Sequence, residues 1–235
     1  MKTLIAMPAM QSIPTKTVRC LTGMLRPPDT YTAISECTLV HDARNEFTSI
    51  AIQKGFDRVL WIDSDMTFPP DMLIRLSEDM DQNNLDMVCG LFFKRQTPTK
   101  PVICTALETR QDPVHGEYIH PVCYTDYPHD TLFPVRACGF GAVLTTVDLL
   151  RDVWDHYGPP FSYHLNIGED YSFCWRVNQI GRQIWCDSRV KAGHIGQVIY
   201  GEDTYLAATQ KQGTATRGMN QTCKPEDIRN TEDNA

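Results

Sequence analysis

The chain opens on a short apolar run, Thr3 to Met7, which Pro8 stops. The pattern predicts a buried strand. From Pro14 to Leu25, Val18, Leu21, Met24 and Leu25 recur at helical spacing. Pro14 suits a first helical turn, and Pro27-Pro28-Asp29 ends it. Tyr31 to Leu39 reads as a second strand. Asp42 to Lys54 reads as a helix with Phe47, Ile50, Ala51 and Lys54 on related faces and Gly55 as its stop. Arg58 to Ile62 is nearly all apolar, the signature of a strand covered on both sides. Pro69-Pro70 opens a helix that runs to about Met80, and Asp86 to Phe92 is a further strand. This alternation predicts a parallel sheet with crossover helices.

The second half is less regular. Between Thr97 and Pro134 short β-like runs are broken by Pro, His and Asp, which predicts hairpins or loops laid over one end of the sheet. Ala142 to Thr146 then reads as a strand, Val147 to Tyr157 as a helix, Glu169 to Ile180 as a helix ended by Gly181, and Gln183 to Cys186 as a strand. The expected architecture is one α/β domain. A mostly parallel central sheet is flanked by helices, with a smaller antiparallel or loop region. Residues 1–95 would form a nucleotide half, 96–205 an acceptor half, and 206–235 a polar, loosely packed tail.

Composition narrows the class. The net charge of −7 and the lack of a dense Lys/Arg run argue against a nucleic-acid partner, whose phosphates favour a basic surface. Nine cysteines, none in a Cys-x-x-Cys pair, mostly sit in apolar stretches and read as reduced core thiols. The first apolar run is too short for a signal peptide, and no stretch approaches the ~20 apolar residues of a membrane span. A soluble, cytoplasmic protein is expected.

Directly after the most apolar strand stands Asp63-Ser64-Asp65, followed by a proline-opened helix. The carboxyl end of a parallel strand is where such sheets bind ligands. Two acids one residue apart can share a hard divalent cation and a ribose hydroxyl, and a diphosphate completes the coordination of magnesium or manganese. An isolated Asp-x-Asp also serves as a turn or helix cap; the strand before it and the helix after it favour the ligand reading.

Leu60-Trp61-Ile62-Asp63-Ser64-Asp65 resembles the Asp-x-Asp signature of the GT-A-fold glycosyltransferases, family 2-like. Ala43-Arg44-Asn45, Gly90-Leu91-Phe92-Phe93-Lys94-Arg95, Gly139-Phe140-Gly141, Gly168-Glu169-Asp170 and Gly193-His194-Ile195-Gly196 resemble further segments of the same enzymes, in the same order, across roughly residues 3 to 200. The resemblance implies a metal-dependent enzyme that moves a sugar from a nucleoside diphosphate sugar, of UDP or GDP, to an acceptor hydroxyl. It implies Asp65 and His194 as metal ligands, and Asp63 at the ribose or at the metal through water. The donor-binding candidates are Ala6, Arg44, Asn45, Asp63, Ser64, Asp65, Lys94 and Arg95.

Each role has a plainer counterpart. His194 also fits a core or capping histidine, and Glu169-Asp170 at a helix start also complements the helix dipole. As chemistry, one of the two carboxylates is a general base for the acceptor hydroxyl, and Asp170 is preferred, with Glu169 as its neighbour at the acceptor. Arg44 and Asn45 also read as a surface arginine and a capping asparagine, and Lys94 and Arg95 as a solvated strand end. Trp175 suits either sugar stacking or helix packing. His41, His120, His129 and His164 fall in expected loops without metal-ligand spacing. Asp170 as a base predicts inversion at the anomeric carbon; retention is the alternative. A nucleotidyltransferase would share the sheet and the metal, but its usual glycine-rich loop is replaced here by Pro8-Ala9-Met10-Gln11-Ser12. A non-enzymatic binding module would not need Asp65, Asp170 and His194 together.

Overall fold

The computed structural model describes residues 1–36, 38–114, 116–196, 199–207 and 209. The expected loose tail lies outside the described residues from 210 onward; residues 202–207 before it are helical. The elements in chain order are β1 (Thr3–Pro8), α1 (Thr15–Thr22), β2 (Thr30–Ser35), α2 (Val40–Gln53), β3 (Arg58–Ile62), β4 (Met66–Thr67), α3 (Met72–Asn83), β5 (Met87–Leu91), β6 (Cys104–Asp112), β7 (Gly116–Cys123), β8 (Leu132–Val135), β9 (Ala142–Thr146), α4 (Val147–Tyr157), α5 (Glu169–Gln179), β10 (Ile184–Lys191), β11 (Gly193–Ile195) and β12 (Ile199–Tyr200).

Seven strands form the central sheet in the order β2-β1-β3-β9-β5-β10-β8. Five of them, β2, β1, β3, β5 and β10, run the same way; β9 and β8 run against them. The sheet is thus mostly parallel, as the alternation predicted. β9 lies between β3 and β5 and pairs antiparallel with both, so the chain crosses over from β3 through α3 and leaves one place to be filled later. β6 and β7 form a separate hairpin, and β4, β11 and β12 a small three-stranded sheet.

Alternate side chains on the inner strands feed two cores, one on each face. Leu4, Ala6, Val59, Trp61 and Val143 point to the face covered by α2, α4 and α5. Ile5, Met7, Leu60, Ile62 and Leu144 point to the face covered by α3, with Leu21 and Met24 of the α1 region. That period of two, with both sides apolar, is why β3 reads as an unbroken hydrophobic run. α4 starts where Thr146 accepts a hydrogen bond from the Leu149 N–H at 3.1 Å. α3 stops at Asn84, whose φ of 51° is the left-handed closing conformation.

Three boundaries differ from the sequence pattern. β2 ends at Ser35 rather than Leu39 because it is an edge strand paired only with β1, whose last register partner is Pro8. β10 runs on to Lys191, past the expected Cys186; an irregularity between Asp187 and Lys191 and the polar Asp187-Ser188-Arg189 hid its continuation. β8 lies in the segment expected to be hairpins or loops, yet joins the main sheet as its far edge. His41 and His120 sit in α2 and β7 rather than in loops. Among the described residues no helix is long and apolar enough to cross a membrane.

One polar contact crosses the sheet centre. The indole N–H of Trp61 donates to the Thr145 hydroxyl at 3.0 Å, and both side chains are fully buried. Thr145→Val keeps the shape and removes the acceptor. Urea denaturation should show a loss of about 1–3 kcal/mol, the desolvation penalty of an unmatched buried donor. An unchanged midpoint would mean the indole finds another acceptor.

Candidate active site

β3 delivers Asp63-Ser64-Asp65 to the carboxyl edge of the sheet. The chain then turns, with the Met66 N–H donating to the Asp63 carbonyl at 3.3 Å, and enters β4. β4 pairs antiparallel with β11, setting His194 opposite Met66 and Gly193 opposite Thr67. The Ile195 N–H donates to the Asp65 carbonyl at 2.7 Å, so this short ladder carries His194 to the side of Asp65. A Cβ at position 193 would stand 2.6 Å from the Thr67 hydroxyl and 2.8 Å from the Ile199 side chain, an approach only glycine allows.

His194 Nε2 lies 3.3 Å from Asp65 Oδ1, and Nδ1 lies 3.2 Å from the Phe93 carbonyl. A carbonyl only accepts, so Nδ1 carries the proton there and Nε2 is the nitrogen turned to Asp65. Arg95 holds the other Asp65 oxygen at 2.7 Å. Burial pushes the Asp65 carboxyl up, but the hydrogen bond and charge of His194, with the charge of Arg95, outweigh it and hold the group below its ordinary value.

Arg44, in the first turns of α2, is almost completely buried. Its guanidinium donates to Glu169 Oε1 at 2.6 Å and to Asp63 Oδ1 at 2.7 Å. Phe140 and Phe161 lie 5.2 Å and 5.8 Å from its charge. Next to it, Asn45 accepts from the Phe161 N–H at 2.9 Å and so sets that ring in place.

α5 begins at Glu169 and presents Asp170 to the same space. Asp170 Oδ1 accepts from the Tyr171 N–H at 2.7 Å. Its side chain folds back towards Gly168, where any Cβ would come within 2.9 Å of Oδ1. Burial raises the Asp170 carboxyl to about 6, with the nearby Glu169 charge adding to the rise and Arg44 opposing it.

These groups line one cleft of about 340 Å³, with Arg44, Asp63, Ser64, Asp65, Arg95, Glu169, Asp170 and His194 in its walls. Three donor-binding candidates lie elsewhere. Ala6 is fully buried in β1, where its backbone faces its strand neighbours; the cleft wall comes from Pro8, Ala9 and Met10 beyond the strand end. Asn45 is engaged with Phe161. Lys94, beyond the end of β5, stands 5.9 Å from the Tyr171 ring and is not among the residues that line the cleft. Trp175 packs on His164, with ring centroids 4.1 Å apart, rather than in the cleft. Pro8, Ala9, Met10, Thr38 and Val40 complete the lining and carry no sequence signal beyond following a strand or opening a helix. A groove of about 390 Å³ between α1 and residues 67–70 holds no carboxylate and offers none of this chemistry.

Among the described residues no group of three or more His, Cys, Asp or Glu could hold a metal. Asp65 and His194 offer one oxygen and one nitrogen to a common point. That pair fits a manganese- or magnesium-type cation, which takes its other ligands from phosphate and water.

Among solved structures, A197 from STIV matches with a TM-score of 0.60 at 20% identity, over 83% of this chain and 86% of that one. A crystal structure of GalNAc-T7 with UDP, GalNAc and Mn2+ matches with a TM-score of 0.54 at 10% identity, over 89% of this chain and 47% of that one. No curated protein matches the chain. The family model described as Glycosyl transferase family 2 matches residues 32–110, from β2 into β6, and so includes Arg44, Asp63, Asp65 and Arg95. The chain has a GT-A-type α/β fold, and its segment 32–110 is similar to family 2 glycosyltransferases. The family match ends before Glu169, Asp170 and His194, which the fold brings to the cleft from the other half of the sequence.

The raised Asp170 carboxyl sets a stability test. A folded-state value near 6 against an ordinary value of 3.8 penalises the folded form once Asp170 ionises. Below about pH 4 no penalty exists; it grows as pH rises through 6. Asp170→Asn should therefore be more stable than the parent at pH 8, by up to about 3 kcal/mol, with the difference vanishing near pH 4. Chemical denaturation with chelator present reads this directly. An equal or less stable variant at pH 8 would show that the carboxylate is not held against its charge.

Proposed function

We propose that the cleft moves a sugar from a nucleoside diphosphate sugar, of UDP or GDP, to an acceptor hydroxyl with inversion, aided by a divalent cation. One observation carries this reading. Four carboxylates line the cleft, and three are ion-paired: Asp63 and Glu169 with Arg44, and Asp65 with Arg95 and His194. Among the described residues Asp170 alone has no such partner, and its proton affinity is raised towards that of a working base.

Asp65 and His194 would hold the cation, manganese or magnesium. When bound, it neutralises the charge that develops on the leaving diphosphate. Arg95, now on Asp65, would supply a second positive charge to the same phosphates. Asp63 is fixed by Arg44 with its second oxygen free for a ribose hydroxyl, while Thr38, Val40 and residues 8–10 wall the base side. Asp170 takes the proton of the acceptor hydroxyl as its oxygen attacks the anomeric carbon from the face opposite the diphosphate. Glu169 sits beside it, locked by Arg44, and orients the acceptor. Residues 1–95 thus provide most of the donor side and residues 96–205 the acceptor side. The presence of UDP and Mn2+ in the GalNAc-T7 structure supports the choice of donor class and metal.

The test separates chemistry from binding. With a panel of UDP- and GDP-sugars and slow donor hydrolysis as the assay, Asp170→Asn should lose about 10²–10⁴-fold in turnover, the usual weight of a general base. It should keep manganese-dependent nucleotide affinity, which Asp65→Asn should lose. Parent turnover should fall as pH drops through about 6, since protonated Asp170 accepts no proton. Near-parent turnover in Asp170→Asn, or a retained anomeric configuration by NMR, would overturn the base assignment.

A further inference from the structure

Away from the cleft, two cysteines of the β6–β7 hairpin face each other. Cys104 and Cys123 are register partners at the base of the hairpin. The Cys104 N–H donates to the Ala137 carbonyl, and the Cys104 carbonyl accepts from the Arg136 N–H, both at 2.8 Å. Its backbone groups therefore point away from β7. On the other side, the Tyr124 N–H donates to the Ile103 carbonyl at 2.8 Å, flanking the pair as expected for a position without its own ladder bonds. At such positions Cα atoms approach to about 4.5 Å and side chains are closest. That separation falls inside the window of about 4.4–6.8 Å that a disulfide spans. Both thiols are free, and each is the largest single influence on the proton affinity of the other.

We infer that Cys104 and Cys123 form a reversible disulfide, made by exchange with a low-molecular-weight disulfide such as oxidised glutathione. Cys104 is fully buried, whereas Cys123 is only half-buried and open to a small oxidant. The two differ in reactivity as well. The hydrogen bond from Cys104 lowers the Cys123 thiol to about 6, against its burial, with Lys94, Lys100 and His120 adding positive charge. The same hydrogen bond and burial push Cys104 up. Cys123 is thus the attacking sulfur. Its thiolate attacks one sulfur of the glutathione disulfide and expels one glutathione thiolate, leaving a mixed disulfide on Cys123. Cys104 gives up its proton to the expelled thiolate and attacks the Cys123 sulfur, releasing the second glutathione. Two cysteine thiols are oxidised, and one small disulfide is reduced to two thiols.

The other close thiols differ. Cys89, Cys138, Cys174 and Cys186 are fully buried in the core and offer no path to an oxidant. The hairpin pair also sits beside the catalytic helix. The Tyr171 side chain hydrogen-bonds Cys104 and donates to the Val102 carbonyl at 3.1 Å, and Tyr171 directly follows Asp170.

Incubation of the full chain with oxidised glutathione, then blocking of free thiols and non-reducing peptide mass mapping, tests the inference. A peptide pair joining residues 104 and 123, lighter by two hydrogens and released by dithiothreitol, is expected. The four core cysteines should stay unlinked. Closing this loop should raise the unfolding temperature by about 5–10 °C. Cys104→Ser should instead trap glutathione on Cys123, and Cys123→Ser should take up none at either position. Glutathione remaining on Cys123 of the parent chain without closure, or linkage of Cys104 to a different cysteine, would overturn it.

Discussion

The cleft depends on one buried cation. Arg44 lies inside the domain with its guanidinium shared between Asp63, at the end of β3, and Glu169, at the start of α5. A guanidinium left unpaired at that depth would be strongly destabilising, and removing one partner of a buried pair costs about 3–5 kcal/mol. The two carboxylates have the same need for it. Elements 106 residues apart in sequence, at Asp63 and Glu169, are thus fixed to the same point. The rings of Phe140 and Phe161 flank the charge, and Asn45 and Arg176 anchor the loop that carries Phe161. The interaction is local in space and long-range in sequence, so the site forms only once the sheet is complete.

This arrangement divides the carboxylates by environment. Asp63 and Glu169 are paired with Arg44, and His194 and Arg95 hold Asp65 below its ordinary value against its burial. Asp170 shares the cleft but lacks a cation of its own, so burial and the neighbouring Glu169 raise it. Two acids of the same chemistry, Asp65 and Asp170, thereby acquire opposite shifts in proton affinity within one cleft. Glycines permit two close approaches at the cleft: Gly193 lets β11 press against β4, and Gly168 leaves space for the Asp170 carboxylate.

Much of this was legible in the sequence where the physics is local. β3 is apolar on both faces, so its strand and the acids after it stood out, and the pairing of His194 with Asp65 agrees with the motif order. What was not legible is long-range. Arg44 lines the cleft as a donor-side candidate, but nothing near it in sequence shows that its partners are Asp63 and Glu169. Ala6 and Lys94 were placed at the donor, but the first is buried within β1 and the second stands over the Tyr171 ring beyond the end of β5. The antiparallel place of β9 between β3 and β5 likewise depends on which gap the crossover leaves open, a property of topology rather than of hydrophobic pattern.

The central claim is that one cleft holds a cation at Asp65 and His194, with Asp170 free on the acceptor side. Anomalous diffraction from crystals grown with manganese and UDP, and with manganese and GDP, addresses it most directly. The account predicts one manganese peak bonded to Asp65 and His194 Nε2 and to diphosphate oxygens, with Arg95 moved from Asp65 to the phosphates and Arg44 still joining Asp63 to Glu169. A nucleotide bound in the cleft with manganese on Asp170, or with no manganese near Asp65 and His194, would contradict it.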